Sequence, residues 1–245
     1  YEGIQQIFKG LGWIITIKYY FCSVKTIKHE VSNVQKHNIT MKKIFLCSSF
    51  ADVAQLLPKL VAQLQGKTVA FIPTASIHEE YTQYVEDGKA ALESLGLVVK
   101  EMEVTLCDTR LIAQVIKDCD CIYVSGGNSF FLLQELRRTG ADKLIAEHVE
   151  KGKLFIGESA GAMIAAPNVE YAKEMDDHRL LTPDFDNFTG LDIVDFCPVP
   201  HFNTSPFEEA TQQIMQKYNH LPLKPINNLQ AIVVSGDNMT IRSKE

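Results

Sequence analysis

From Met41 onward, short unbroken apolar runs alternate with stretches in which apolar residues recur every three or four positions. The runs are KKIFLCSSF (42–50), KTVAFIPTAS (67–76), LVVKEMEV (97–104), DCIYVSGGN (120–128) and KLFIGESAG (153–161). All but LVVKEMEV, which carries Lys100, Glu101 and Glu103, are apolar on both faces and closed by serine, proline or glycine; together they read as strands, the pattern of a parallel sheet. Between them, VAQLLPKLVAQLQ (53–65), YTQYVEDGKAALESLG (81–96), TRLIAQVIKDC (109–119) and SFFLLQELRRTGADKLIAEHVEKG (129–152) carry helical spacing. The last of these divides at Gly140, and AMIAAP (162–167) starts a helix that Pro167 stops. Beyond it lie a strand-and-loop stretch ending in LDIVDFCPVPHFN (191–203), a helix FEEATQQIMQKYN (207–219) and a hairpin LQAIVVSGDNMTIRS (229–243) turning near Gly236-Asp237. The alternation predicts one α/β domain, a three-layer sandwich with helices on both faces of a mainly parallel sheet.

In such a sheet, sites form beyond the carboxyl ends of the strands. Two glycine-rich stretches fall there, Val124–Asn128 (VSGGN) and Ile156–Gly161 (IGESAG). Ser159 stands two residues from Gly157 and two from Gly161, the spacing of a nucleophile at a sharp strand-to-helix turn. The amide of Ala160 is the natural oxyanion donor, and glycines at 126 and 127 let a second backbone N–H approach a substrate carbonyl. A serine nucleophile needs a base. Of seven histidines, His201 is the best placed, closing a proline-bounded apolar strand. His78 follows a strand end, His178 lies in a polar loop, and His148 and His220 read as surface residues. An acid behind the base would come from Glu174, Asp176 or Asp177, all between Ser159 and His201; spacing does not choose among them.

Composition narrows the class. The chain has 245 residues, 46% hydrophobic and 22% charged, with a net charge of −6. That profile suits a globular enzyme and disfavours a nucleic-acid surface, which is normally basic. Six cysteines without a C-x-x-C pair suggest buried thiols of a cytoplasmic protein rather than a zinc or disulfide framework. Residues 1–40 differ from the rest: their apolar run is broken by Lys18 and is too short for a confident membrane span. They are set apart as an N-terminal extension, with residues 41–245 as a single domain.

YVSGGNSFFLLQEL (123–136), GKLFIGESAGAMIAAP (152–167) and VPHFN (199–203) together resemble the peptidase E family of serine peptidases, the α-aspartyl dipeptidases, with cyanophycinases as more distant relatives. The resemblance runs from Met41 to the terminal hairpin. It implies a glutamine-amidotransferase-like (flavodoxin-like) fold and a Ser-His-acid triad with Ser159 as nucleophile and His201 as base. It also implies an oxyanion and substrate turn at Gly126, Gly127 and Asn128, completed by Ala160. The family's aspartate, fifteen positions after its serine, matches Glu174 here. Family members carry basic residues after the histidine. This chain is short there and acidic at Glu208-Glu209, leaving Arg179 or Arg137 as cations for a substrate carboxylate. The expected function is hydrolysis of small peptides without metal or organic cofactor. The expected partners are a small peptide substrate and at most a second copy of the chain, with neither nucleic acid nor membrane. The alternatives are another acyl or β-aspartyl substrate at the same site, or a catalytically silent binding protein of the same fold.

Overall fold

The structure, a computed structural model, describes residues 41–177 and 181–244. The expectation about residues 1–40 therefore lies outside the described residues, as do His29, His37, His178 and Arg179. Five parallel strands form the centre: β1 (Lys43–Cys47), β2 (Thr68–Ile72), β3 (Val98–Glu101), β4 (Cys121–Val124) and β5 (Leu154–Glu158). The hairpin β8 (Gln230–Ser235) and β9 (Asn238–Ser243) extends the sheet to the order β3-β2-β4-β5-β1-β8-β9. β8 runs antiparallel to β1, so the sheet is mixed at that end. A separate parallel pair joins β6 (Cys197–Val199) to β7 (Leu223–Pro225).

The helices are α1 (Phe50–Val53), α2 (Gln83–Ser94), α3 (Thr109–Asp118), α4 (Ser129–Thr139), α5 (Ala141–Glu150), α6 (Ala160–Met163) and α7 (Glu208–Lys217). The period-two alternation of the strands divides the core into two layers. Ile44, Leu46, Ile72, Ile122, Val124 and Phe155 face one way, under α3, α4 and α5. Phe45, Cys47, Phe71, Tyr123 and Ile156 face the other, under Phe50 and Val53 of α1 and Val85 and Leu92 of α2. This is the sandwich predicted from the apolar runs.

Local chemistry explains where elements depart from the pattern. The 53–65 stretch holds only the end of α1 and a 3-10 turn, Ala54–Lys59, because Pro58 inside it removes a backbone donor. Gly140, left-handed at φ 76°, separates α4 from α5 as expected. The 191–203 run is a strand only at Cys197–Val199 and pairs outside the main sheet. His148, expected on the surface, is buried at 3% exposure, and burial pushes its pKa down to about 4. His220 is exposed, as read. Among the described residues, no helix is long and apolar enough to cross a membrane.

The parallel register brings the ends of four strands to one edge: Cys47 opposite Glu158, and Val124 beside both Ile72 and Gly157. Because β8 is antiparallel, it starts at that same edge, with Ala231 opposite Cys47. The loop preceding β8 therefore joins the strand-end loops that build the site.

Candidate active site

Ser159 occupies the single residue between β5 and α6, with φ 49° and ψ −108°. That backbone region is sparsely populated for a non-glycine residue and persists only where its surroundings enforce it. Here they do. The Ser159 N–H donates to the Cys47 carbonyl at 2.9 Å, and the Ser159 carbonyl accepts from Ala162 and Met163 N–H. A side chain at Gly157 would overlap the Gly161 carbonyl, and one at Gly161 would overlap the Val124 carbonyl. The two glycines thus permit the close approach of turn and strand that leaves Ser159 half-buried at the sheet edge. The helix that follows is a single turn, shorter than the pattern suggested, so the nearby amides rather than a helix dipole are the polar resource.

His201 lies two residues beyond β6, also at positive φ, 57°. Its N–H donates to Ser48 Oγ at 2.9 Å, and its ring tilts against Phe207 at 4.8 Å between centroids. The ring meets two partners: Nε2 lies 3.0 Å from Ser159 Oγ, and Nδ1 lies 2.8 Å from Asn228 Oδ1. With a carboxamide oxygen accepting at Nδ1, the proton sits on Nδ1 and Nε2 is free to accept from the serine hydroxyl. Burial pushes the His201 pKa below its ordinary 6.5, with the Asn228 hydrogen bond opposing in part.

The carboxylates expected behind His201 are engaged elsewhere. Glu174 Oε1 accepts from Lys217 Nζ at 2.6 Å and from the Tyr218 hydroxyl. Asp176 Oδ2 accepts from the Ser129 N–H at the start of α4, and burial pushes its pKa up to about 6. Asp177 is exposed. Asn228 takes the position behind the imidazole. It precedes β8 in the loop after β7, and the antiparallel strand is what delivers it to this edge. Its local sequence gives no signal of this, because the direction of β8 is set by its pairing with β1.

The glycine turn lies against the serine. A side chain at Gly126 would stand 3.1 Å from Ser159 Cβ and 3.3 Å from the Tyr84 ring. Gly127 has φ 127°, and any side chain there would overlap the Ala75 carbonyl. Asn128 caps α4: its Oδ1 accepts from Phe130 and Phe131 N–H, while its own N–H donates to the Ala75 carbonyl. Its side chain therefore fixes the turn. Ala160 follows Ser159 directly and opens α6. Arg137 donates to the Asn187 and Thr189 carbonyls and stacks on Phe185. Among the described residues, no group of three or more His, Cys, Asp or Glu side chains is placed to hold a metal ion.

A strained serine at the carboxyl edge of a parallel sheet, in contact with a histidine, defines the arrangement of a serine hydrolase. Comparison with known proteins narrows this. Residues 44–242 match Peptidase family S51. An uncharacterized peptidase of Listeria monocytogenes is 51% identical over 197 residues, covering 80% of this chain and 96% of that one. Peptidase E of Shewanella amazonensis is 32% identical over 179 residues, covering 70% and 72%. The crystal structure of a Peptidase E candidate from Listeria monocytogenes EGD-e superposes with a TM-score of 0.80 at 48% identity, covering 84% of this chain and all of that one. The chain belongs to peptidase family S51 and is a serine peptidase.

Proposed function

We propose that this peptidase cleaves small peptides, in the manner of a dipeptidase, through Ser159, His201 and Asn228. Ser159 Oγ attacks the scissile carbonyl carbon as His201 Nε2 takes its proton, and the carbonyl π electrons move onto oxygen. The Gly127 and Ala160 amides hold that oxyanion. As the oxyanion collapses, the carbon–nitrogen bond breaks and His201 returns the proton to the leaving amine. Water, deprotonated by the same nitrogen, then releases the acyl group from Ser159. Asn228 fixes ring orientation and tautomer in place of a carboxylate. The observation that carries this reading is the 3.0 Å contact between His201 Nε2 and Ser159 Oγ at a strained strand–helix turn.

The test of substrate class is hydrolysis of a panel of dipeptides, longer peptides, β-aspartyl peptides and simple esters. Preferential turnover of dipeptides is expected. Turnover of esters or β-aspartyl bonds with no cleavage of α-peptides would overturn the dipeptidase reading. Within the panel, Asp-X dipeptides are not expected to draw on Arg137, which is held on backbone carbonyls.

A neutral partner behind His201 has a consequence for pH. The base works as neutral imidazole, so the rate rises as pH climbs through the His201 pKa. Burial holds that pKa below 6.5, which puts the acidic limb of kcat/KM below 6.5. Asn228→Asp places a negative charge beside the imidazolium and favours it, so the limb should move to higher pH by about 1 unit or more. A limb that stays in place in the variant would show that Asn228 does not face the working base.

A further inference from the structure

Glu158, the residue before Ser159, is buried at 2% exposure, and peptide hydrolysis has no chemical use for it. Its carboxylate takes donors from two neighbouring elements at the site edge. Oε1 accepts from the Phe50 N–H at 2.7 Å, where β1 gives way to α1. Oε2 accepts from the Tyr123 hydroxyl at 2.5 Å, near the end of β4. The backbone of Gly126, in the turn that faces Ser159, helps pull the carboxylate pKa down against burial. Gly88 of α2 roofs the network, and a side chain there would come within 2.5 Å of the Tyr123 oxygen.

The chain of contacts continues to the base. Two residues before Phe50, Ser48 is buried, and its Oγ accepts from the His201 N–H. The Ser48 hydroxyl oxygen also lies 3.2 Å from the carbonyl oxygens of Ile226 and Asn227, immediately before Asn228. One carboxylate is thus tied to the turn carrying the nucleophile, through Tyr123 to the strand that leads into the glycine turn and, through Phe50 and Ser48, to the loops carrying His201 and Asn228.

Burying a carboxylate costs several kcal/mol before its hydrogen bonds offset it, and apolar replacements of such groups are often neutral or stabilising. Burial indeed pushes the Glu158 pKa up to about 7. A strained residue such as Ser159 meanwhile needs neighbours that over-determine its geometry.

We infer that Glu158 is a positioning residue that registers Ser159 against both the glycine turn and the His201–Asn228 pair, acting through the Phe50 and Tyr123 donors and the Ser48 relay. This rests on Ser159 and His201 being nucleophile and base.

The test is Glu158→Gln in the full chain. Glutamine keeps the shape but presents an NH₂ group where a backbone N–H and a hydroxyl donate. Because misplacement by about 1 Å can cost about 100-fold, kcat is expected to fall at least about ten-fold while KM stays within about two-fold, with a wild-type circular dichroism spectrum. A kcat at the wild-type level, or a loss carried by KM, overturns the assignment. If Glu158→Gln does not fold, Ser48→Ala removes the relay alone. The same fall in kcat at constant KM is expected, and an unchanged kcat overturns the proposal. Ser159→Ala run beside them separates the two levels. Full activity there sinks the nucleophile reading itself, whereas an inactive Ser159→Ala beside a fully active Glu158→Gln sinks only the role of Glu158.

Discussion

Ser159→Ala is expected to lower kcat/KM toward a cleavable dipeptide by about 10⁴-fold or more. The substitution removes the nucleophilic oxygen and nothing else. β5, the glycine turn and the backbone amides near the serine stay in place, so a small residual rate above the uncatalysed one should survive. The stability change should be small. The hydroxyl contributes one hydrogen bond, from Ser159 Oγ to His201 Nε2, worth about 1 kcal/mol net. Steady-state kinetics paired with thermal melts would show a nearly unchanged melting temperature beside the collapsed rate. A fall in rate that tracks a fall in stability would instead make Ser159 a folding residue.

His201→Asn should cost a similar factor, and the double variant Ser159→Ala/His201→Asn should be no worse than either single one. Asparagine is chosen because it tolerates the positive φ of 57° at this position, which keeps the loop backbone. Without the base, the hydroxyl at 3.0 Å has nowhere to send its proton; without the hydroxyl, the base has nothing to activate. Groups that act as a unit are grossly non-additive, whereas independent contributions would multiply, to about 10⁸-fold here. Measured losses that multiply would mean that the two residues act separately.

Much of the fold is written in the apolar pattern. The five parallel strands are runs such as Ile44–Cys47 and Cys121–Val124 whose alternate residues feed two core layers, and Gly140 and the Gly236 turn mark real breaks. The meeting of Ser159 and His201 at 3.0 Å is legible because glycine spacing and strand ends report backbone geometry directly. The residue behind the imidazole is not. A sequence shows that a carboxylate lies between Ser159 and His201 along the chain, but not that Glu174 turns to Lys217 of α7. Asn228 reaches the site only because β8 runs antiparallel to β1, a fact of pairing rather than of local pattern. His148 was misread for a related reason: its charged neighbours suggest a solvated face, yet the side chain itself is covered. Asn128 sits in the glycine turn as expected, but its side chain is taken up in capping α4, which local sequence alone does not separate from ligand binding. Glu158 of GESAG has no local signal of its role, because the Phe50 and Tyr123 donors that its carboxylate meets come from elements distant in the chain.

The most direct measurement is to react the full chain with a fluorophosphonate and locate the adduct by mass spectrometry. An activated serine displaces fluoride and keeps the phosphonyl group. One adduct on Ser159, forming in step with loss of peptidase activity and absent after Ser159→Ala, is the expected result. Peptide turnover that continues undiminished with Ser159 fully modified, or inactivation with the adduct on another residue, would contradict Ser159 as the nucleophile.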